Sequence, residues 1–398
     1  MDDARAKIEE LRRAGLHRRL RLVEGPQGPR VTMDGSEVLL LCSNNYLGLA
    51  DHPRVRRAAA EAAERYGAGA GASRLISGDM ELHRKLEERL AAFKGTETAL
   101  LFGSGYLANL GTVGALAGEG EVVFSDELNH ASIVDGCRLS RAETFVYRHC
   151  DLEHLAWGLR QARDRAALIV TDGVFSMDGD VAPLPALAEL AERHRCRLMV
   201  DEAHGTGTIG PSGRGAVAAA GLDGRVDIIV GTLGKALGSY GAYACTSADV
   251  RELLINTARS FIFSTAPPPP SVGAALAALG LLASRPGVVE HLRRNAAVMR
   301  QALGAHHLDV GASRTQIIPV MVGDAHRALT LCERALEGGV FAQAIRPPTV
   351  PHGTSRLRLT VMANHRADEL EAAARVIGRA ARELGVARGA HAGLRQAA

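Results

Sequence analysis

The segments ALIVTDG (167–173) and LMVDEAH (198–204) decide the fold of this 398-residue chain. Each opens with an unbroken apolar run, which is typical of a strand buried on both faces. Between them, LPALAELAERHR (184–195) has the spacing of an amphipathic helix. A strand, a helix and a second strand in this order predict two parallel strands joined by a crossover helix.

The same alternation extends from about residue 98 to residue 246. The expected strands are TALLF (98–102), EVVFS (121–125), ETFVY (143–147), AALIVTDG (166–173), RLMVDEA (197–203), VDIIVGT (226–232) and GAYACT (241–246). Strands that alternate with helices predict an α/β fold with a large, mostly parallel sheet covered on both faces. Ligands of such folds bind beyond the carboxyl ends of the strands.

The pattern changes after about residue 285. A long helix, two strands at QIIPVMVG (316–323) and SRLRLTV (355–361), and a terminal helix predict a smaller α+β C-terminal domain. We expect four regions: an N-terminal segment over 1–45, a large domain over 46–285, the small domain over 286–387 and a disordered tail over 388–398.

One uncharged stretch has the length of a membrane span, because no charge occurs between Arg259 and Arg285. The prolines at 267–270 lie in its middle, and four prolines cannot continue a helix. We expect a strand at SFIFST (260–265), a turn and a buried helix over 271–284, and no membrane span.

Composition excludes several other classes. The chain is 46% hydrophobic and 23% charged with a formal net charge of +3, as in a globular protein. Arginines are spread among acidic neighbours, so no stripe for nucleic acid stands out. Six cysteines lack metal spacing, which predicts reduced thiols and no metal site. Without a secretory signal at the N-terminus, we expect a cytoplasmic protein.

Lysine is rare here, with four among 47 Lys and Arg residues. Lys7, Lys85 and Lys94 lie in or at the end of charged helical segments, which predicts solvated charges. Lys235 instead lies in GTLGKALGSYG (231–241), directly after a buried strand and far from other charges. A desolvated lysine can lose its proton whereas arginine cannot, so Lys235 is expected to act as an amine.

Other polar residues follow the predicted strands at the same edge of the sheet. Asp201 and His204 follow one strand, Ser176 follows another, and His130 stands at a helix start. Taken singly, an aspartate there is more often a helix cap and a histidine is usually structural. Their convergence with Lys235 predicts a chemical site.

The turn GSGYLAN (103–109) opens a helix, where free N–H groups bind anions. A Walker-type nucleotide loop is excluded, because Ile229 stands where its first glycine is required and Ala236 follows the lysine. An amine, a carboxylate, a histidine and an anion-binding helix start together suit pyridoxal 5′-phosphate (PLP).

Several longer motifs resemble the α-oxoamine synthases, from about residue 10 to residue 385. They are SNNYLGL (43–49), TDGVFSMDGDVAPL (171–184), DEAHGTGTIGPSGRG (201–215) and TLGKALG (232–238). The resemblance implies the aspartate-aminotransferase-like fold (fold type I of PLP enzymes). It also implies a homodimer with the active site at the subunit interface.

The resemblance gives each matching residue a role toward the cofactor. Lys235 would bond to it covalently, Asp201 would pair with the pyridinium nitrogen, and His130 would stack over the ring. The phenolic oxygen would be contacted by His204 and Ser176. The phosphate would be bound by Gly105, Tyr106 and Thr232, and that of the neighbouring subunit by Thr265.

It also implies a set of substrate residues. Arg358 would grip the amino-acid carboxylate, and a guanidinium suits that task because it can bind a carboxylate with two hydrogen bonds. Asn44 and Ser73 would face the substrate, Arg18 would approach the acyl end, and Arg356 would be structural.

Within the family, AIRPPTVPHGTSRLRLT (344–360) and Ser73 resemble the members of biotin biosynthesis that condense L-alanine with a pimeloyl thioester. Members that use glycine typically have threonine in place of Ser73. The extra methyl of threonine leaves less room for the side chain of alanine next to the substrate Cα. The alternatives are a glycine-using member, such as a glycine C-acetyltransferase or 5-aminolevulinate synthase, and a non-catalytic binding module. Whether coenzyme A or a carrier protein brings the acyl group stays open.

Overall fold

The computed structural model describes residues 2–13, 16–285 and 287–386. The chain divides into two compact units. Unit 1 consists of residues 1–43, 177–179 and 291–398, and unit 2 of residues 44–176 and 180–290. The domain boundaries expected from the sequence stay a prediction, and the tail expected over 388–398 lies outside the described residues.

The described residues form fourteen strands and fourteen α-helices. The strands are β1 Val23–Glu24, β2 Arg30–Met33, β3 Ser36–Leu40, β4 Thr98–Phe102, β5 Val122–Asp126, β6 Glu143–Tyr147, β7 Ala166–Asp172, β8 Arg197–Asp201, β9 Ile228–Thr232, β10 Ala242–Thr246, β11 Ile317–Gly323, β12 Val340–Phe341, β13 Gln343–Ile345 and β14 Ser355–Thr360. The helices are α1 Asp2–Arg13, α2 Pro53–Tyr66, α3 Glu81–Lys94, α4 Gly105–Leu116, α5 Ala131–Ser140, α6 Leu152–Ala162, α7 Leu184–His194, α8 Ala216–Ala219, α9 Ala248–Thr257, α10 Arg259–Ile262, α11 Pro269–Ser284, α12 Gly287–Ala305, α13 Ala325–Glu337 and α14 Ala367–Glu383.

Unit 2 is built on a seven-stranded sheet with the order β4-β10-β9-β8-β7-β5-β6. The strands from β9 to β6 are parallel to their neighbours, whereas β10 is antiparallel to both β4 and β9. The predicted mostly parallel sheet is confirmed, and each of its seven strands overlaps an expected one.

Both faces of this sheet are buried. On one face, Phe102, Val170 and Val230 join a single apolar cluster with residues of α4, α5, α9 and α10. Alternate residues point to the opposite face, and there Ile169 and Val200 are also fully buried. This explains the unbroken apolar runs of the sequence, since strands covered by helices on both sides have no polar face.

Unit 1 contains two smaller sheets. One has the order β1-β2-β3-β12 and the other β11-β14-β13. In the second sheet, β14 is antiparallel to both neighbours, and its residue Arg358 is in register with Pro319 on one side and Gln343 on the other. The strands expected at 316–323 and 355–361 are therefore present.

The strand expected at SFIFST (260–265) is wrong. Residues Arg259–Ile262 form the short helix α10, and Phe261 packs edge-on against Phe102 with ring centroids 5.8 Å apart. Packing of this aromatic ring into the apolar cluster outweighs the local preference for a strand.

The apolar helix expected after the prolines is present as α11, with Pro269 and Pro270 in its first turn, where a missing N–H costs nothing. Within the described residues no single helix has the length and hydropathy needed to cross a bilayer. The bent pair α11 and α12 meets those criteria only when the two helices are combined.

Candidate active site

Lys235 lies in the tight connection between β9 and β10. The two ends of the connection are tied by a hydrogen bond from the Leu233 N–H to the Gly241 carbonyl (2.9 Å), and the Gly238 N–H donates to the carbonyl of Lys235 itself (2.9 Å). Its neighbours Ala236 and Leu237 are buried, and Lys235 is half-buried. The amine therefore projects from a backbone that is fixed on both sides.

A line of hydrogen bonds joins Lys235 to two other residues of unit 2. Its Nζ lies 2.8 Å from His204 Nε2, and the Nδ1 of that ring lies 2.6 Å from the hydroxyl of Tyr46. Tyr46 is fully buried and donates its own proton to Asn44 Oδ1 at 2.9 Å. Because that proton is used, the tyrosine oxygen accepts from Nδ1–H of His204, which leaves Nε2 as an acceptor for the lysine amine.

Asp201 ends strand β8 and is buried, with an exposed fraction of 4%. Its two carboxylate oxygens have separate donors: Oδ1 accepts from the Ala203 N–H and Oδ2 from Asn109 Nδ2, each at 2.7 Å. The carboxylate is therefore fixed in its plane as well as in its position.

His130 caps the start of α5 and connects to the same network. Its Nδ1 accepts from the Ser132 N–H (3.2 Å) and lies 2.7 Å from the hydroxyl of Ser132. That hydroxyl in turn accepts from Asn109 Nδ2 at 2.8 Å. Burial lowers the pKa of His130, so the ring is neutral with its proton on Nε2.

A second buried carboxylate lies beside Asp201. Asp172 ends strand β7 in register with Asp201 on β8, and its Oδ2 accepts from the backbone N–H of His130 at 2.8 Å. Burial, together with the nearby Asp201 charge, raises the pKa of Asp172 well above its ordinary value. Two carboxylates so close are costly to charge together, which adds to the effect of burial in raising the pKa of Asp172.

The glycine-rich turn is placed as expected, at the start of the twelve-residue helix α4. Ser104 caps this helix, and a Cβ at Gly105 would lie 3.9 Å from Thr232 Cβ, so the two predicted phosphate residues are neighbours. The first N–H groups of a helix have no partner within it and attract anions. The Tyr106 hydroxyl instead donates to Asp135.

Three further predicted residues lie elsewhere in unit 2. Ser73 and Thr265 face each other in an isolated antiparallel bridge, so the expected substrate and phosphate positions come together. Ser176 is half-buried in the turn closed by the bridge between Val174 and Val181.

The two remaining predicted residues, Arg358 and Arg18, belong to unit 1. Arg358 is buried on β14, whereas the neighbouring Arg356 forms an ion pair with Asp178, as its expected structural role requires. Arg18 is exposed and lines a cavity of about 500 Å³ that also includes Arg19, Arg21 and Arg346.

The expectation that Lys94 is a solvated charge is wrong. Its side chain is buried at the end of α3, where the ammonium donates to Thr206 Oγ1 (2.8 Å) and to the Arg214 carbonyl (2.6 Å). Burial lowers the pKa of Lys94. The Lys94 ammonium connects α3 to the loop after His204, because both of its acceptors belong to that loop.

One cluster outside these residues combines potential metal ligands: Asp126, His149 and Cys150. The ring of His149 lies between two carboxylates, with Nδ1 2.9 Å from Asp126 and Nε2 2.8 Å from Asp180. Both ring nitrogens are therefore occupied by ion-paired hydrogen bonds, which is the geometry of a charged histidine rather than of a metal ligand.

Sequence reasoning missed four residues of the site: Tyr46, Asn109, Ser132 and Asp172. Tyr46, Asn109 and Asp172 lie inside motifs quoted above and Ser132 lies two residues after His130, and the side chain of each contacts a predicted residue. The available signal was a buried polar side chain next to a predicted catalytic residue.

The family model of class I and II aminotransferases matches residues 36–377. The chain belongs to this family. The 8-amino-7-oxononanoate synthase of Geobacter sulfurreducens is 57% identical over 96% of this chain and 98% of its own length, and relatives of the same name extend to 51% identity.

Solved structures agree with this membership. A serine palmitoyltransferase variant from S. paucimobilis with a bound aldimine of PLP and myriocin has a TM-score of 0.92 at 34% identity, covering 97% of this chain and 98% of that one. The 8-amino-7-oxononanoate synthase of Francisella tularensis has a TM-score of 0.76 at 29% identity, covering 87% and 98%. These likenesses confirm the aspartate-aminotransferase-like fold predicted from the motifs.

Proposed function

We propose that this chain is a PLP-dependent acyltransferase, an 8-amino-7-oxononanoate synthase. It condenses L-alanine with a pimeloyl thioester and releases carbon dioxide and the free thiol. The contact of Lys235 Nζ with His204 Nε2, in the same unit as the buried Asp201 carboxylate, carries the proposal. The likeness to relatives of that name supports the substrate pair.

The residues present fit the cofactor. Lys235 supplies the amine, Asp201 a fixed carboxylate for the ring nitrogen, and His130 a neutral ring to stack on it. His204 and Ser176 would contact the phenolic oxygen. The phosphate would be held by Gly105, Tyr106 and Thr232. Bound PLP supplies an electron sink for the bond broken at the amino-acid Cα.

Side chains of the protein would carry out the proton transfer at the amino-acid Cα. Lys235 would take the proton from Cα, and an amine placed next to a hydrogen-bond acceptor is suited to that task. Such assistance contributes roughly 10²–10⁴-fold to the rate. The fixed tautomer of His204 keeps Nε2 available as that acceptor, and Tyr46 maintains the tautomer.

Further residues would bind the substrates. Arg358 would pair with the alanine carboxylate, and Asn44 and Ser73 would face the amino acid. Arg18 would meet the anionic part of the acyl donor. The arginine-lined cavity suits an anion, because burial and the charge of Arg18 lower the pKa of Arg346, a sign of cations held close together. A carboxylate or phosphate there would relieve that repulsion.

We further propose a cytoplasmic homodimer in which Thr265 reaches the phosphate bound by the neighbouring subunit. Thr265 is held by its bridge to Ser73, so a subunit contact would bring both residues to one place. Size-exclusion chromatography with light scattering tests the dimer. A monomer that turns over alanine normally would contradict it.

Reduction with borohydride tests the lysine. Protein incubated with PLP should absorb in the visible range, and borohydride should fix the cofactor to the peptide that contains Lys235. Lys235→Ala should bind some cofactor without turnover, whereas Lys85→Ala should behave as wild type. A label on a peptide containing Lys94 or Lys85 contradicts the assignment.

Substrate choice is tested by thiol release. L-alanine or glycine is paired in turn with pimeloyl-, acetyl- or succinyl-coenzyme A. Alanine with the pimeloyl thioester should be preferred by at least about tenfold in kcat/KM, or roughly 1.4 kcal/mol at the transition state. Faster reaction of glycine with a short thioester would make this a glycine-using relative. Reaction only with a pimeloyl carrier protein would identify the acyl donor.

A further inference from the structure

A single side chain, Asn109, links the two residues proposed to lie on the cofactor ring. Its amide nitrogen Nδ2 donates one hydrogen to Asp201 Oδ2 (2.7 Å) and the other to Ser132 Oγ (2.8 Å). Asn109 and Ser132 are both buried, with exposed fractions of 1% and 0%. Both donor hydrogens are therefore used, and water does not compete for them.

The direction of these bonds is fixed by chemistry. If the amide of Asn109 were turned over, its oxygen would face the carboxylate of Asp201, which has no proton to offer. The amide oxygen is instead left buried, with no hydrogen-bond partner among the described residues. A buried acceptor without a partner is costly, so the two donor bonds must compensate for it.

The Ser132 hydroxyl accepts one of these bonds and so has its own proton free for His130. Nδ1 of His130 already accepts from the Ser132 N–H, so it carries no proton and takes the hydroxyl proton as well. The Ser132 backbone N–H thus fixes the tautomer of His130, and Asn109 orients the Ser132 hydroxyl as a second donor to the same ring nitrogen.

The position of Asn109 along α4 also relates the Asp201 carboxylate to the proposed phosphate site. Gly105 opens the helix at the proposed phosphate position, and Asn109 lies four residues later on the same face. One rigid helix turn thus sets the distance between the phosphate donors and the carboxylate proposed for the ring nitrogen.

We propose that Asn109 is a positioning residue that holds the Asp201 carboxylate in plane and, through the same amide, orients the Ser132 hydroxyl toward His130. The proposal rests on the proposed function, since it assumes that Asp201 faces the cofactor ring. Without the Asn109 donor, the Asp201 carboxylate would keep the Ala203 N–H on Oδ1 but lose the donor on Oδ2, so it could turn out of the plane in which it is proposed to meet the ring nitrogen.

The test uses Asn109→Leu, an apolar side chain of nearly the same shape, with Thr112→Val as the matched control. Thr112 lies one turn further along α4, is fully buried, and its hydroxyl has no partner among the described residues. Visible absorbance of bound PLP is titrated with pH, and the dissociation constant of PLP and the kinetic constants for alanine are measured.

In Asn109→Leu the spectral midpoint should shift by about one pH unit, a tenfold change in that equilibrium. We expect kcat to fall by about tenfold with KM for alanine changed less than twofold, since the group lost does not touch the substrate. Thr112→Val should keep the wild-type midpoint and kcat. Ser132→Ala should keep the wild-type midpoint and lower kcat, because it cuts only the branch to His130.

An unchanged midpoint in Asn109→Leu, or an equal shift in Thr112→Val, would overturn the proposal. If Asn109→Leu does not fold, Asn109→Ala compared with Thr112→Ala gives the same contrast. The wild-type protein separates the two levels of inference. If the wild-type protein binds no PLP, the proposed function is refuted. If the wild type binds PLP and Asn109→Leu has the same spectral midpoint, only the role of Asn109 is refuted.

Discussion

The histidine between two carboxylates makes a quantitative prediction about stability. Burial lowers the pKa of His149, but the hydrogen bonds to Asp126 and Asp180 outweigh burial and raise it to about 12. The ordinary value of a histidine is about 6.5. Because the folded-state pKa is raised, its contribution to the free energy of unfolding is complete below pH 6.5 and is lost as the pH rises toward 12.

The substitution His149→Gln keeps a polar side chain that cannot carry a charge. Between pH 6.5 and the raised pKa, each pH unit removes at most about 1.4 kcal/mol of the contribution of His149 to the free energy of unfolding. Between pH 7 and 9 the stability advantage of the wild type over the variant should therefore shrink by up to about 2.7 kcal/mol. The ring is 24% exposed, and solvent screening brings the expected change to about 1–2 kcal/mol.

The measurement is urea-induced unfolding of the cofactor-free protein at pH 6, 7, 8 and 9, at one protein concentration. His154→Gln serves as the control, because that ring is also half-buried and packs on Phe145, with ring centroids 5.0 Å apart. A free-energy difference between wild type and His149→Gln that stays constant over this range would refute the reasoning. So would an equal pH dependence in His154→Gln.

Three further substitutions have distinct signatures. Tyr46→Phe removes the oxygen that fixes the tautomer of His204, and stopped-flow kinetics should show kcat reduced by about tenfold or more with the fold unchanged by circular dichroism. Lys94→Met should lose a pH dependence opposite to that of the histidine. Because the folded-state pKa of Lys94 is lowered, wild-type stability should rise relative to the variant as the pH rises toward 10.5 in urea titrations. Gly215→Ala should lower the free energy of unfolding in urea titrations by more than about 2 kcal/mol beyond the effect of Gly120→Ala. Both glycines have a positive φ, but a Cβ at Gly215 would overlap the carboxylate of Glu202, whereas one at Gly120 would meet open space.

The parts of the site that lie along single strands could be predicted from the sequence. Asp201 and His204 stand directly after an apolar run, and parallel strands bring such residues to one edge whatever the details of packing. Lys235 stands out in the sequence because its neighbours are small and apolar, and its position after β9 is as expected. These inferences depend only on local pattern and on the class of fold.

The parts created by contacts distant in sequence could not be predicted. Lys94 ends a charged helix and differs from a surface lysine only because a loop more than a hundred residues later covers it. SFIFST has the composition of a strand, and only the cluster around Phe102 makes it a helix. Asn109 lies in a helix that is otherwise almost entirely apolar, and nothing in its neighbours along the sequence indicates that Asp201 is its partner.

The single antiparallel strand of the large sheet has a consequence for synthesis of the chain on the ribosome. Within this sheet β4 pairs only with β10, and Phe102 meets Ala242, which is translated 140 residues later. At about 5–20 residues per second, β4 waits on the order of ten seconds for the strand that completes it. Strand β10 begins at Ala242, seven residues after Lys235, so the connection that carries Lys235 becomes fixed at both ends only when β10 pairs with β4 and β9.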